Sequence, residues 1–250
     1  MSLFRDEIKR IAHETLGQYK NPTWYNSRLG KLLTTNFHDA VKMCDKIENL
    51  PKMNYFDAWK LLNDDIPLRR SWLTHTDLKS YYPWIKWGVD HERDGLREYE
   101  RSTRNYVRRS GLWMYPSGNI GGSPDGLVND YRDAEEPSGI LEVKCPWKLR
   151  NLKTITDEDL KRSLDYLDDD LKLVKGHQYY TTIQGNMEAV QVKWCDFVVW
   201  TPARTIINRV EYDEEWIKGN IPRIENYYTK WLVPNYKTHF PRMYNYFPFN

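Results

Sequence analysis

Cysteine is scarce in this chain: Cys44, Cys145 and Cys195 form an odd, widely separated set in 250 residues. That excludes a disulfide framework and a Cys/His zinc spacing, and favours a reducing, intracellular setting, cytoplasm or nucleus according to the host. A long apolar run is missing too. Arg5, Asp6, Glu7, Lys9 and Arg10 interrupt the first twenty residues, which fits neither a secretory signal nor a membrane span, so no membrane partner is expected. Charge of one sign is also lacking: 37 Lys and Arg against 35 Asp and Glu leave a formal net charge of +2. Any surface for nucleic acid must then come from local segregation of charge. Finally, Gly30-Lys31 is not a phosphate-binding P-loop, because Leu32 stands where that motif needs Ser or Thr and the upstream glycine is missing. An ATP-driven motor is disfavoured.

What the chain has in quantity is aromatic surface, 14% of residues with 11 Trp and 18 Tyr. Most of these rings are expected in core packing, with some available to stack on bases. The length suits one large domain, or a domain with an added helical lobe. Apolar spacing predicts a helix from Leu3 to Leu16 that stops at Gly17, and further helices over 36–46, 54–62 and from Pro83 onward. A helix over 176–190 follows, with Tyr179, Ile183, Met187 and Val190 inward. Strand-like runs cover 191–200 and 205–211, and a last helix spans about 213–231. The expected architecture is α/β: a mixed central sheet flanked by helices, mostly helical before about residue 110. The tail from Pro234 to Asn250 is rich in Pro and aromatic residues and is expected to wrap the surface or a partner.

The chemistry-bearing segments are Ser123-Pro124-Asp125-Gly126-Leu127 and Ile140-Leu141-Glu142-Val143-Lys144-Cys145-Pro146, with 16 residues between Asp125 and Glu142. Residues two apart on a strand share a face. Glu142 and Lys144 therefore point one way while Leu141, Val143 and Cys145 enter a core, and Pro146 ends the strand. Pro124 and Gly126 place Asp125 on a constrained turn. Two carboxylates and a lysine are the minimum parts for metal-dependent cleavage of phosphodiesters, since hard Mg²⁺ prefers such oxygen ligands. Either segment alone is an ordinary turn or strand; their order and close spacing point to a nuclease.

Other residues stand out by position. In the helix from Pro83, Glu92 falls on the apolar stripe formed by Ile85, Val89, Leu96 and Tyr99. It must meet a metal, a cation or several donors, or else reach water at the edge of the stripe. Arg101, Arg104, Arg108 and Arg109 gather four positive charges in nine residues, either to grip phosphates or as a solvated helix end. The acidic runs 157–159 and 168–170 would repel DNA and are expected on an outward surface. Gln184, on a more polar face of its helix, is placed to touch a phosphate, a base or attacking water, or simply solvent.

These segments resemble the phage lambda exonuclease and YqaJ-type viral recombinase family, a branch of the PD-(D/E)xK nucleases, over roughly residues 23–211. The match lies in W-Y-N-S-R-L-G-K-L-L-T-T from Trp24, W-G-V-D-H-E-R-D-G-L-R-E-Y-E from Trp87, the S-P-D-G-L and L-E-V-K-C-P pair, and Y-T-T-I-Q-G-N-M from Tyr180. The resemblance implies a restriction-endonuclease-like core over 83–211 within a single nuclease domain, preceded by a helical region over 1–82 and followed by a helix and aromatic tail over 212–250. It implies that Asp125, Glu142 and the Val143 carbonyl are metal ligands, that Glu92 is the acidic helix residue near the metal, and that Lys144 stands beside the attacking water. Gln184 would be the active-site helix glutamine. Arg28 would contact a terminal 5′-phosphate, with Thr35 where relatives carry Ser.

The expected activity is Mg²⁺-dependent exonucleolytic hydrolysis of linear duplex DNA from its 5′ end, in recombination or DNA processing. One or two ions are expected, with Mn²⁺ as a substitute. A structure-selective endonuclease on the same fold and a catalytically inactive DNA-binding protein are the alternatives. Implied partners are DNA ends and a single-strand annealing protein. Some members of that family form rings, ring trimers among them, that encircle DNA, and no residue here singles out that assembly.

Overall fold

Apolar residues one turn apart set the helices, and polar side chains cap the first turn of several of them. The computed structural model describes residues 2–62, 82–130 and 135–235. Helix α1 (Arg5–Glu14) buries Ile8 and Ala12, four residues apart, and the chain leaves it through Gly17 at φ 86°, a left-handed turn that a residue with a Cβ adopts at a cost. Pro22 at the first turn and the Asn21 side chain, which accepts the Thr23 N–H, start α2 (Pro22–Arg28). Next come α3 (Phe37–Glu48), α4 (Tyr55–Leu62) and the long α5 (Pro83–Thr103), which opens on Pro83 as expected. The stripe on α5 is observed: Ile85, Val89, Glu92 and Leu96 are half-buried, and Tyr99 is fully buried. Helices α6 (Asp157–Ser163), α7 (Gln178–Val190) and α8 (Glu214–Tyr227) complete the described set. The capping box of Thr156 with Asp159 accounts for the first acidic run, whose charges suit a helix N-terminus. Asp168, Asp169 and Asp170 are exposed.

Eight short strands form two sheets among the described residues. They are β1 (Leu32–Leu33), β2 (Tyr106–Arg109), β3 (Trp113–Met114), β4 (Ile120–Gly122), β5 (Gly126–Asn129), β6 (Gly139–Lys144), β7 (Trp194–Trp200) and β8 (Thr205–Glu211). The main sheet runs β2-β5-β6-β7-β8, and only the β6–β7 pair is parallel. A parallel pair needs a long crossover, and α6 and α7 lie in that connection. The small sheet β1-β4-β3 joins residues 32–33 to residues 113–122, so the N-terminal helices share a sheet with the central region.

The main sheet is covered on both faces. Ile140, on the face of β6 shared with Glu142 and Lys144, belongs to a core that includes Ile183 and Met187 of α7. Leu141 and Val143, on the other face, pack in a second core with Tyr99 and Leu96 of α5. Burial on both faces explains why β6 reads as almost continuously apolar around one Glu and one Lys. Helix α7 is buried nearly all round, so the more polar face expected to carry Gln184 does not face solvent. The aromatic tail was expected over 234–250; residues 236–250 lie outside the described residues. No described helix is long and apolar enough to cross a membrane.

Candidate active site

Two backbone contacts hold the Asp125 turn against β6. The Asp125 N–H donates to the Leu141 carbonyl at 3.1 Å, and Asp125 Oδ2 accepts the Val143 N–H at 2.7 Å. The carboxylate is thereby pinned beside the strand that carries Glu142 and Lys144. Glu142, only 7% exposed, receives Lys144 Nζ on Oε1 at 2.5 Å and Asn186 Nδ2 on Oε2 at 3.5 Å. Lys144 Nζ also lies 3.4 Å from the Val143 carbonyl and 4.8 Å from the centre of the Tyr179 ring. The alternation of β6 thus gives one face with the Glu and the Lys and one face of packing.

Helix α5 closes the other side. Gly95 is so near β6 that a Cβ there would stand 2.5 Å from Val143 Cγ1, closer than any side chain tolerates. One turn before it, Glu92 lines, together with Asp125, a cavity of about 670 Å³. Lys20, Arg93, Arg97, Arg108 and Arg109 reach the same cavity, a cationic rim that Asp90 and Glu100 interrupt. Of the four arginines expected to grip phosphates, Arg108 and Arg109 are here. Arg108 is braced by Asn129 Oδ1 at 2.9 Å. Arg101 instead pairs with Glu98 on the exposed face of α5, and Arg104 closes that helix in a left-handed conformation at φ 65°.

The electrostatics follow from the crowding. Burial, and then the negative charges of Glu142 and Glu92, push the Asp125 carboxyl well above the usual carboxylate range; Lys144 and the Val143 N–H pull the other way. Burial disfavours the Lys144 charge, but Glu142 and Asp125 outweigh it and hold its pKa above that of a free lysine. Lys144 is therefore favoured as a cation beside Glu142. Cys145 packs against the second core with Leu141 and Val143, and burial pushes its thiol up to about 12.

Arg28 lies at the end of α2, where its guanidinium stacks 3.6 Å from the centre of the Trp24 ring. Trp24 Nε1 in turn donates to Ser123 Oγ at 2.9 Å, two residues before Asp125. Burial lowers the Arg28 pKa to about 10, partly offset by Tyr25, and its buried Nε has no hydrogen-bond partner. Thr35 is exposed at the turn after β1, while its neighbour Thr34 is buried and donates to Asn186 Oδ1 at 2.7 Å.

Gln184 is not brought to the carboxylates. Its Nε2 donates to the Glu211 carbonyl at 2.9 Å and its Oε1 accepts the Asp213 N–H at 2.8 Å, which ties α7 to the end of β8 and the start of α8. Both ends of the amide are used in that structural clamp. The α7 residues that do meet the site are Tyr179, expected on the inward stripe, and Asn186, which sequence reasoning passed over. The only signal for Asn186 was its place in the same Q-G-N-M run, two residues past Gln184.

The family model of the YqaJ-like viral recombinase domain matches residues 23–190, more than half of the chain. This chain belongs to the YqaJ-like viral recombinase family. Its fold is similar to that of an alkaline exonuclease, LHK-Exo from Laribacter hongkongensis, with a TM-score of 0.56 and 19% identity over 86% of this chain and 94% of that one. It is also similar to SOX in a complex with DNA, with a TM-score of 0.56 and 12% identity over 95% of this chain and 72% of that one. KSHV SOX in a complex with RNA gives a TM-score of 0.50 at 10% identity, over 95% and 75%. These likenesses show a shared fold, the α/β core with a mixed sheet expected above. A search of curated protein sequences found no significant match.

Proposed function

We propose that this chain is a Mg²⁺-dependent DNA exonuclease that hydrolyses linear duplex DNA from the 5′ end. The reading rests most on one observation, the joining of Asp125 to β6 beside Glu142 and Lys144. Among the described residues no group of three or more His, Cys, Asp and Glu side chains could by itself hold a metal ion. The donors nevertheless fit a hard cation that keeps its waters, because Mg²⁺ is usually bound through one or two carboxylates plus water and substrate phosphate. Asp125, Glu142 and the Val143 carbonyl would hold it, with Glu92 nearby. Burial, and then repulsion from Glu142 and Glu92, drive the Asp125 pKa up, and that penalty on the charged carboxylate is what a divalent cation would relieve. When bound, such an ion supplies Lewis acidity toward the phosphate and a hydroxide nucleophile at neutral pH.

The chain's own groups complete the reaction. Lys144, held charged, stands where it can neutralise negative charge growing on the phosphoryl oxygens or favour loss of a proton from the attacking water. The cationic rim from Lys20 to Arg109 would track the phosphate backbone without reading bases. Arg28 has a buried, unpartnered Nε and a Trp behind it, which suits an anion such as a terminal 5′-phosphate.

Digestion of end-labelled linear duplex with Mg²⁺, resolved over time, tests activity and polarity together. Asp125→Asn, Glu142→Gln and Lys144→Ala should each lower the rate at least about 100-fold, the scale for loss of a group that stabilises the transition state. Near-normal rates in folded variants would refute the site. Efficient cutting of covalently closed circles would favour the endonuclease reading instead, and DNA binding without Mg²⁺-dependent products would leave only a binding protein.

A further inference from the structure

Asn186 is 1% exposed and bridges two parts of the chain that are far apart in sequence. Its Oδ1 accepts the Thr34 hydroxyl at 2.7 Å, which leaves its Nδ2 to face Glu142 Oε2 at 3.5 Å. The order of donors matters: with the oxygen taken by Thr34, the amide can present only N–H to the carboxylate. Thr34 is itself held, because its backbone carbonyl accepts the Thr182 hydroxyl at 3.3 Å. Gly122 leaves no slack around the pair, since a Cβ there would lie 2.1 Å from Asn186 Oδ1 and 2.7 Å from Thr34 Cγ2. Glu142 is therefore gripped on both oxygens, by Lys144 on Oε1 and by Asn186 on Oε2.

We propose that Asn186, oriented by the Thr34 hydroxyl, is a positioning residue that fixes the Glu142 carboxylate for metal binding. This rests on the reading of Glu142 as a metal ligand given above. A carboxylate on a two-carbon stem has rotamers to lose on binding an ion, and a donor on its second oxygen removes that freedom beforehand. Partners of metal ligands act in this way, and their loss costs about 10- to 100-fold in metal affinity. The site then has a third support besides β6 and α5: the inner face of α7, held in register by the β1–β4 pairing that places Thr34.

The test is calorimetric titration of Mn²⁺ into the whole protein, with kcat and KM for linear duplex measured alongside and thermal midpoints as the folding control. Asn186→Ala and Thr34→Val should each weaken Mn²⁺ binding about tenfold and lower kcat while leaving the KM for DNA in place. Thr34→Ser keeps the hydroxyl and should bind Mn²⁺ like the wild type. The double variant Thr34→Val with Asn186→Ala should bind no more weakly than Asn186→Ala alone, because both remove one interaction. Wild-type affinity in folded Asn186→Ala, or additive losses in the double variant, would overturn the proposal. Should Asn186→Ala not fold, Thr34→Val against Thr34→Ser decides alone: equal affinities would sink it. Glu142→Gln separates the two levels. If it binds Mn²⁺ normally, the metal reading fails; if it does not while Asn186→Ala and Thr34→Val do, only this inference fails.

Discussion

Asp125 shows how function sets a residue against stability. Its carboxyl is pushed up by burial, Glu142 and Glu92, so the folded, metal-free protein holds a proton there at a pH where the unfolded chain has lost it. Protonation numbers then give the sign: where the native state binds more protons than the unfolded state, stability falls as pH rises. The metal-free protein should accordingly lose stability as pH climbs from the ordinary carboxylate range through the raised pKa of Asp125. Asp125→Asn keeps the shape and the acceptor for the Val143 N–H but removes the charge. It should stabilise the metal-free protein by roughly 1–2 kcal/mol at neutral pH, the scale of an uncompensated buried polar group, while abolishing cleavage. Thermal midpoints across pH, with a chelator present, check this; a midpoint lower than wild type at neutral pH would contradict it. At the same scale, Arg28→Ala should erase any preference for a 5′-phosphate over a 5′-hydroxyl end, measured as relative initial rates. Equal rates on the two ends in the wild type would remove the role altogether.

At the scale of elements, the site depends on how closely α5 rides on β6. Gly95 makes that approach possible: its Cβ would meet Val143 Cγ1 at 2.5 Å and Trp200 Cβ at 3.2 Å. Gly95→Ala should raise helix propensity yet still destabilise by about 1–3 kcal/mol through overpacking. It should also cost activity by moving Glu92 away from Asp125, and a variant as stable and active as wild type would show that the helix can slide freely. Elements of this kind were legible to different depths. Asp125, Glu142 and Lys144 could be read because strand alternation and turn chemistry are local, and Glu92 because a carboxylate on an apolar stripe is a local contradiction. Gln184 was misplaced for a physical reason: residues two apart on a helix point about 200° from each other. The inward stripe of Tyr179, Ile183, Met187 and Val190 was legible and does meet β6. Because α7 is buried nearly all round, only the tertiary packing decides that Asn186, and not Gln184, is the polar residue that turns to the site. The two-residue strand β1 and its parallel pairing with β4 were equally hidden, since nothing local in Leu32-Leu33 announces a partner almost ninety residues away.

For the whole molecule, a net charge of +2 conceals a local gathering of cations. Lys20 from the turn after α1, Arg93 and Arg97 from α5, and Arg108 and Arg109 from β2 converge on one cavity that Asp90, Glu92, Glu100 and Asp125 also line. The acidic runs at Asp157-Glu158-Asp159 and Asp168-Asp169-Asp170 lie elsewhere on the surface. A polyanion approaching this rim would displace condensed counterions, so its affinity should fall steeply with salt whatever the base sequence. Arg93→Ala with Arg97→Ala removes two exposed cations without touching either sheet. That double variant should weaken duplex binding uniformly across sequences and reduce the slope of log affinity against log salt by about 2, roughly one for each phosphate no longer neutralised. Fluorescence anisotropy with duplexes of different sequence over a salt series measures both quantities. An unchanged slope would mean that the backbone does not run along this rim, and DNA would then have to reach Asp125 and Glu142 from the α7 side, past Tyr179.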